Sequence, residues 1–147
     1  MVKWRFIICL VSFSVGLYSQ VWALHLATVR LKKITVISDQ SNDTVVILHI
    51  VFPKTDELHE KFRTMSSAAY FEQYKTLTDT YPDGFEVVEI PAVPGTSNVV
   101  PIKLGDFKSK SAIVFARSET TGDHRQEIKK GLNKATITVK RQSFVLS

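Results

Sequence analysis

The fold of this chain is decided by residues 44–53, which read Thr44-Val45-Val46-Ile47-Leu48-His49-Ile50-Val51-Phe52-Pro53. Apart from His49, the run from Val45 to Phe52 is apolar. A strand with one face in water alternates apolar and polar residues, whereas an unbroken apolar run is typical of a strand buried on both faces. We therefore predict a strand at the centre of a sheet. Pro53 should end it, because proline has no amide proton to give a neighbouring strand.

The residues on either side of this run extend the prediction. Residues 30–38 are rich in β-branched side chains and predict a first strand, and the polar segment 39–43 predicts a turn. Together they suggest a β-hairpin. Thr55 can cap a helix, and Ser66 or Ser67 can start a second one over residues 68–77. A short helical insertion after the second strand is therefore expected.

The second half of the sequence returns to strands. The predicted strands are residues 85–90, 98–104, 111–117, 134–140 and 143–146. Residues 98–104 should form an edge strand because of Pro101, and residues 111–117 a central one. With six or seven strands, the fold class is mostly β, and a two-layer antiparallel β-sandwich is the economical architecture.

The N-terminus has the pattern of a secretory signal peptide. Lys3 and Arg5 precede an apolar stretch over residues 6–17, and Val21-Trp22-Ala23 forms a cleavage signal. We predict a signal peptide over residues 1–23 and one domain over residues 24–147. Two alternatives stay open: the segment is an uncleaved anchor helix, or Cys9 is lipidated.

Composition limits the kinds of site that the domain can hold. Cleavage removes Cys9, the only cysteine, together with Lys3 and Arg5, so that the net charge falls from +5 to +3. No disulfide is then possible, and the histidines lack the spacing of a zinc site. Residues 108–147 hold nine bases and three acids. Without a nucleic-acid module, this basic region suits an acidic protein partner or anionic head groups.

Motifs for catalysis are missing from the sequence. His49, within the apolar run, is either a hydrogen-bonded core residue or a base. In the loop over residues 118–126, Asp123 and His124 could form an acid–base pair. The alternatives are a loop in which Asp123 makes a local turn and Arg125 pairs with an acid, or an interaction surface. No third group completes a mechanism, and no cofactor is expected. Tyr70, Phe71 and Tyr74 have helical spacing, which suits core packing or a docking stripe.

The order of several short motifs resembles a known family. A Pro94-Gly95 turn follows the strand over residues 85–90, and a later strand ends in Ala116-Arg117 before a polar loop with Arg125. This order resembles TssJ, the outer-membrane lipoprotein of type VI secretion systems, and is similar to small subunits of type IVB (Dot/Icm) outer-membrane core complexes. The resemblance implies a transthyretin-like β-sandwich with a helical element. It also implies a structural role beneath the outer membrane, with the loop between the first two strands contacting a larger secretion protein.

We therefore predict a non-catalytic periplasmic subunit of an envelope-spanning secretion system that binds other protein subunits at the outer membrane. Its association with the membrane is expected to be indirect, with no nucleic acid and no small-molecule substrate. The alternative is a periplasmic peptide-binding module or chaperone that acts by strand addition at residues 98–104. The predicted partner-binding residues are Asp39, Gln40, Ser41, Asn42, Asp43, Arg117, Asp123, His124, Arg125, Lys129 and Lys130.

Overall fold

The computed structural model describes residues 31–104, 109, 111–118, 124–128, 130–141 and 143–147. The predicted signal peptide, Asp123 and Lys129 lie outside these residues. The described part contains eight strands and two helices, and both helices lie between β2 and β3. Their order is β1 (Lys33–Ser38), β2 (Val46–Pro53), α1 (Asp56–Thr64), α2 (Ser67–Thr80), β3 (Phe85–Ala92), β4 (Ser97–Pro101), β5 (Ala112–Arg117), β6 (Arg125–Ile128), β7 (Lys134–Lys140) and β8 (Ser143–Leu146).

The strands form two four-stranded sheets. Sheet A has the order β4-β1-β7-β8, and sheet B has the order β3-β2-β5-β6. The apolar run of residues 45–52 supplies β2, which lies between β3 and β5, so the prediction of a central strand is confirmed. β5 is also central and β4 is an edge strand, as predicted.

Two hydrophobic clusters explain why β2 needs apolar residues on both faces. Leu48, Ile50 and Phe52 point towards sheet A and join the cluster between the sheets. Val51, on the opposite face, packs with Phe62 and other aromatic side chains beneath the helices. The molecule therefore has three layers, with sheet B in the middle and the helices covering its outer face. In contrast, the outer face of sheet A is bare in the described structure.

Both helices begin where the sequence provides a cap. The Thr55 hydroxyl accepts a hydrogen bond from the Leu58 amide at 3.2 Å, and the Ser66 hydroxyl accepts one from the Ala69 amide at 3.2 Å. Such caps satisfy amide groups that the first turn leaves without partners. No helix in the described ranges is long and apolar enough to cross a membrane.

The predicted β-hairpin between the first two strands is wrong. β1 lies in sheet A and β2 in sheet B, so the connection crosses from one sheet to the other. Packed sheets lie about 10 Å apart, and the segment between Ser38 and Val46 is long enough to span that distance. A polar turn sequence alone does not distinguish the two kinds of connection.

The expectation of a purely antiparallel sandwich also needs correction. β1 and β7 pair in parallel, with Ile34 opposite Ala135 and Val36 opposite Ile137. The other strand pairs are antiparallel. The alternating pattern that predicted β7 fits either direction, because the side-chain period is two in both.

Two further strands differ from their predictions. β3 continues through Pro91 to Ala92, past the predicted end at Ile90, because β3 is an edge strand and a missing amide proton is tolerated there. β6, with the sequence Arg-Gln-Glu-Ile, was not predicted. It is a short, polar edge strand, and such strands lack the apolar pattern on which strand prediction depends.

Candidate functional site

The loops at one end of the sandwich bring together most of the predicted partner-binding residues. β1 ends and β2 begins there, and Ile47 of β2 lies opposite Arg117 at the end of β5. The same end holds His124, Arg125 and the turn between β7 and β8. We call it the loop end. Lys130 lies at the opposite end, in the turn between β6 and β7.

The connection between β1 and β2 is shaped by its own side chains. The Ser41 amide donates a hydrogen bond to Asp39 Oδ1 at 2.8 Å. Hydrogen bonding from Ser41 lowers the pKa of Asp39, and Lys140 contributes in the same direction, so this carboxylate is ionised at neutral pH. The buried Asn42 amide donates to Ser38 Oγ and to the Val139 carbonyl, each at 3.0 Å. Asn42 therefore holds the connection to sheet A.

The base of this connection packs against the turn that contains Pro94 and Gly95. The Gly95 amide donates to the Ser38 carbonyl at 3.0 Å, and Gly95 has a positive φ of 72°. A Cβ at Gly95 would lie 3.1 Å from Cγ of Gln40. The base is thus fixed by contacts on both sides, whereas Gln40, Ser41 and Asp43 remain exposed.

A groove of about 350 Å³ lies beside the β1–β2 connection. Its walls include Asp43, Arg117 and Arg141, and its apolar lining includes Val45 and Ile47. The Arg141 guanidinium contacts Asp43 Oδ2 at 3.1 Å, but both side chains are mostly exposed. Exposed ion pairs of this kind add little stability, so both groups can exchange partners at small cost.

Arg117 lies at the boundary between the groove and the helices. Its guanidinium carbon is 4.7 Å from the centroid of the Phe71 ring, a cation–π geometry. This contact positions the side chain on the outer face of sheet B while leaving Arg117 exposed. Arg117 can therefore present its charge to a partner without a change in the core.

His124 and Arg125 make structural contacts instead of projecting into solvent. The His124 carbonyl accepts hydrogen bonds from the Ala116 amide at 2.9 Å and from the Ser67 hydroxyl at 2.6 Å. The Arg125 guanidinium donates to the carbonyl of Arg63 and, at 3.0 Å, to that of Met65. These bonds join the end of α1 and the start of α2 to sheet B. A binding role for either residue stays a prediction.

The polar cluster around His49 lies beneath the helices. His49 Nε2 is 3.0 Å from Glu89 Oε2, and Nδ1 is 3.0 Å from the Tyr70 hydroxyl. A neutral imidazole that donates to Glu89 must accept at Nδ1, so Tyr70 is the donor there. Burial lowers the pKa of His49 despite the opposing effect of Glu89, and burial raises the pKa of Tyr70. The interpretation of His49 as a hydrogen-bonded core residue is confirmed.

The aromatic residues of α2 enclose this histidine. The Tyr70, Phe71 and Tyr74 rings have centroids 5.7, 4.8 and 5.0 Å from that of His49. Tyr70 also stacks on Phe115 at 4.1 Å. Core packing, one of the two uses considered for these aromatic residues, is therefore confirmed. In the ranges that the structure describes, no group of three or more His, Cys, Asp or Glu residues could hold a metal ion.

The sequence did not identify three residues that line the groove, namely Arg141, Val45 and Ile47. Arg141 lies in the turn between the last two predicted strands. Its positive charge in that turn is the sequence feature that could have marked it as a candidate binding residue. Val45 and Ile47 were assigned to a buried strand, but they lie at the end of sheet B beyond the helical cover. Val45 is 47% exposed and Ile47 is partly exposed, which depends on how the rest of the chain covers this end of sheet B and not on the strand sequence.

Comparisons with known proteins show similarity in structure only. No family model and no curated protein matches the sequence. The structure is similar to that of the type VI secretion lipoprotein TssJ1 from Pseudomonas aeruginosa, with a TM-score of 0.61 and 15% identity over 82% of this chain and 95% of that chain. It is also similar to a chain of a type VI membrane complex, with a TM-score of 0.60 and 15% identity over 82% and 99% of the two chains.

A third structure has the same arrangement. Serratia marcescens Lip, a membrane-bound component of the type VI secretion system, matches with a TM-score of 0.56 and 9% identity over 79% of this chain and 94% of that chain. At such identities the similarity establishes the fold alone. The protein therefore has a TssJ-like fold, in agreement with the resemblance noted in the sequence.

Proposed function

We propose that the protein is a non-catalytic structural subunit of a bacterial envelope-spanning secretion complex, of the type VI class. The observation that carries the proposal is the TssJ-like fold, which covers about four fifths of the chain. The neighbours with this fold are components of type VI membrane complexes. A type IVB complex is the related alternative for a subunit of this kind.

The proposed docking surface is the exposed tip of the β1–β2 connection together with the adjoining groove. Gln40, Ser41 and Asp43 project from a base that is fixed by hydrogen bonds to sheet A. A surface whose backbone is fixed before binding loses little conformational entropy when a partner docks. Arg117 and Arg141 add positive charge beside an apolar strip, a combination that suits an acidic segment of a larger protein.

The proposal includes export to the periplasm after cleavage at Ala23 and association with the outer membrane. The basis is the leader pattern of residues 1–23. The transthyretin-like class of the sandwich belongs to the same proposal. Mass spectrometry of the protein purified from its native envelope tests the location, because a mature chain that begins at Leu24 is expected. An intact leader in a cytosolic fraction would contradict it.

Co-purification from native envelope extracts tests the docking surface. We expect the triple variant Gln40→Ala, Ser41→Ala, Asp43→Ala to lose most of the stoichiometrically bound protein that the unaltered chain recovers. The matched control removes the same kinds of side chain from the exposed face of α2, through Gln73→Ala, Thr76→Ala and Asp79→Ala. The control should recover the partner at the unaltered level. Equal recovery by both triple variants would exclude the loop as the docking surface.

Strand addition at β4 is the second candidate function. β4 lies at the edge of sheet A and pairs with β1 there, and Val99 at its centre is 59% exposed. An exposed edge can pair with an extended peptide through backbone hydrogen bonds. The same co-purification separates the two functions. A mixed set of polypeptides favours strand addition, and a defined assembly favours the structural subunit.

A further inference from the structure

The end of the sandwich opposite the loop end has a concentration of lysines around the edge of sheet A. Lys33 of β1 lies beside Lys134 of β7 in the parallel register. The Lys32 amide donates to the Asn133 carbonyl at 2.9 Å, and the Ile102 amide donates to the Lys32 carbonyl at 2.9 Å. These backbone bonds bring three separate parts of the chain to one corner. Four lysines lie at this corner, and a fifth lies in the neighbouring β6–β7 turn. We call these five residues the lysine patch: Lys32, Lys33, Lys103, Lys134 and Lys130.

Among the residues that the structure describes, no acid forms an ion pair with the lysine patch. None of the four strands of sheet A contains Asp or Glu. Within the described part of the chain, none of the five lysines forms an ion pair, and four of the five are exposed, with Lys33 partly buried. The acids of the described strands and helices lie outside sheet A, in α1, α2, β3 and β6. Glu127 of β6 is three residues before Lys130, but its carboxylate contacts His59 at 3.0 Å. Like charges at close range repel one another, so a patch without acids has an unmet preference for an external anion.

The polypeptide enters the domain at the same end. Leu31 is the first described residue, and β1 begins two residues later at Lys33. The preceding part of the sequence contains the apolar stretch over residues 6–17. The proposed mature chain begins at Leu24 and lacks that stretch, so any binding of the lysine patch to a bilayer takes place without it.

We propose that the lysine patch binds the surface of a bilayer that contains anionic phospholipids. This inference goes beyond the proposed function, because it concerns the end of the molecule opposite the docking surface and needs no protein partner. Lys33 and Lys134 lie side by side at the ends of β1 and β7, and Lys32 and Lys103 lie next to the same strand ends, so several ammonium groups can reach one plane of phosphate groups together. Attraction of each lysine to such a surface changes the partition onto vesicles by about fivefold.

Partition of the full chain onto vesicles tests the proposal. The two vesicle compositions are pure phosphatidylcholine and an equimolar mixture of phosphatidylcholine and phosphatidylglycerol. The readout is the ratio of the two partition coefficients, compared between variants, because any contribution from the leader with Lys3 and Arg5 is the same in every variant. For the variant Lys32→Gln, Lys103→Gln, Lys134→Gln we expect this ratio to fall about 100-fold from that of the unaltered chain.

The matched control removes the same charge from other surfaces, through Lys61→Gln, Lys75→Gln and Lys140→Gln. Lys140 is the most informative of these, because it lies on β7 of the same sheet but at the loop end. The control should leave the ratio within a few fold of the unaltered chain. Thermal unfolding of each variant confirms that the fold is retained, since all the altered patch residues are exposed.

Three results would overturn the proposal. The first is an unchanged ratio in the patch variant, and the second is an equal loss in the control, which would show that only net charge matters. The third is capture by immobilised polyglutamate as tight as the binding to anionic vesicles, because the patch would then respond to any polyanion. The anionic binding should weaken when the ionic strength rises from about 0.01 to about 0.15 M, because the screening length falls from roughly 30 to roughly 8 Å.

Discussion

Sheet B and sheet A have the same number of strands but different surroundings. Sheet B is packed on both faces, against sheet A on one side and against α1 and α2 on the other. Sheet A packs on one face, and its outer face exposes Ile37, Val99 and Val145 by 39%, 59% and 48%. The sequence patterns follow this difference. β2 and β5 are nearly continuous apolar runs, whereas β7 alternates lysine and threonine with buried alanine, isoleucine and valine.

This comparison shows how the sequence of a strand indicates whether its sheet is the middle layer or an outer layer of the fold. In β2 and β5, the central strands of sheet B, most side chains are buried whichever way they point, so most positions select for apolar residues. A side chain of sheet A is buried at alternate positions only. Changes of the same chemistry should therefore have large effects in sheet B and small effects on the bare face of sheet A.

The largest expected effect is the loss of an isoleucine from the helix-covered face of sheet B. Ile113 in β5 is fully buried beneath the helices. Ile113→Ala should lower the free energy of unfolding by about 2–5 kcal/mol, because it leaves a cavity in a packed core. Urea denaturation of the purified protein measures the change.

Ile37→Ala provides the matched control for Ile113→Ala. Both isoleucines lie in central strands, but Ile37 points from the bare face of sheet A. We expect its loss to cost less than about 1 kcal/mol, since a partly exposed side chain has less area to return to water. Equal costs at the two positions would mean that a partner covers sheet A or that the helices do not cover sheet B.

The next effect concerns the hydrogen bonds beneath the helices. Tyr70→Phe removes the hydroxyl that donates to His49 Nδ1 and leaves a buried acceptor without a partner. The expected loss is about 1–3 kcal/mol. Tyr74→Phe is the control, because the Tyr74 ring contacts the same imidazole in a T-shaped geometry and Tyr74 is only half buried. A similar loss in both variants would show that the hydrogen bond from Tyr70 to His49 has no special weight, because both changes keep the ring and remove only a hydroxyl.

The pH dependence of stability should come in part from His49. Burial lowers the pKa of the folded state below the unfolded value of 6.5, so the unfolded chain binds a proton that the folded chain does not. Stability is therefore fully present above pH 6.5 and falls as the pH is lowered further, by at most about 1.4 kcal/mol per pH unit. The groups that face the ring are Glu89, Tyr70, Tyr74 and, at longer range, Arg117.

His49→Gln tests this contribution. Glutamine can hydrogen-bond but does not titrate in this range, so the difference in stability between neutral and mildly acidic pH should be smaller in the variant. Denaturation at a series of pH values measures it for both proteins. An identical pH profile in the two proteins would assign the dependence to other groups.

The smallest expected effect is on the bare face of sheet A. Val145→Thr should change the free energy of unfolding by no more than about 0.5 kcal/mol, because nearly half of the side chain already contacts solvent. The same substitution at Val51 in β2 should cost about 1–3 kcal/mol, because it buries a hydroxyl among aromatic side chains. A large cost at Val145 in the native envelope assembly, but not in the isolated protein, would reveal a partner on sheet A.

Most of the local structure could be predicted from the sequence. The central strand, the edge strand at Pro101, both helix starts and the alternation of β7 follow from short-range patterns. The candidate site was harder to predict than the local structure. The segment 39–43 and Arg117 were predicted to bind a partner, and all of these residues except Asn42 are exposed. The contacts of Arg125 with the carbonyl groups of Arg63 and Met65 could not be predicted, because they join residues far apart in sequence. From the sequence alone, an arginine that binds a partner protein cannot be distinguished from one that binds the carbonyl groups at the end of a helix.

The sequence by itself determined which segments become strands and helices and which strands are covered on both faces, because burial selects the type of side chain at each position. Only the tertiary structure decided that β1 pairs in parallel with β7 and not in a hairpin with β2. It also decided that lysines from three parts of the chain lie at one corner. The reason is physical. Strands pair through backbone hydrogen bonds that are nearly the same for every residue, so the choice of partner depends on how all the layers pack together and not on any local pattern.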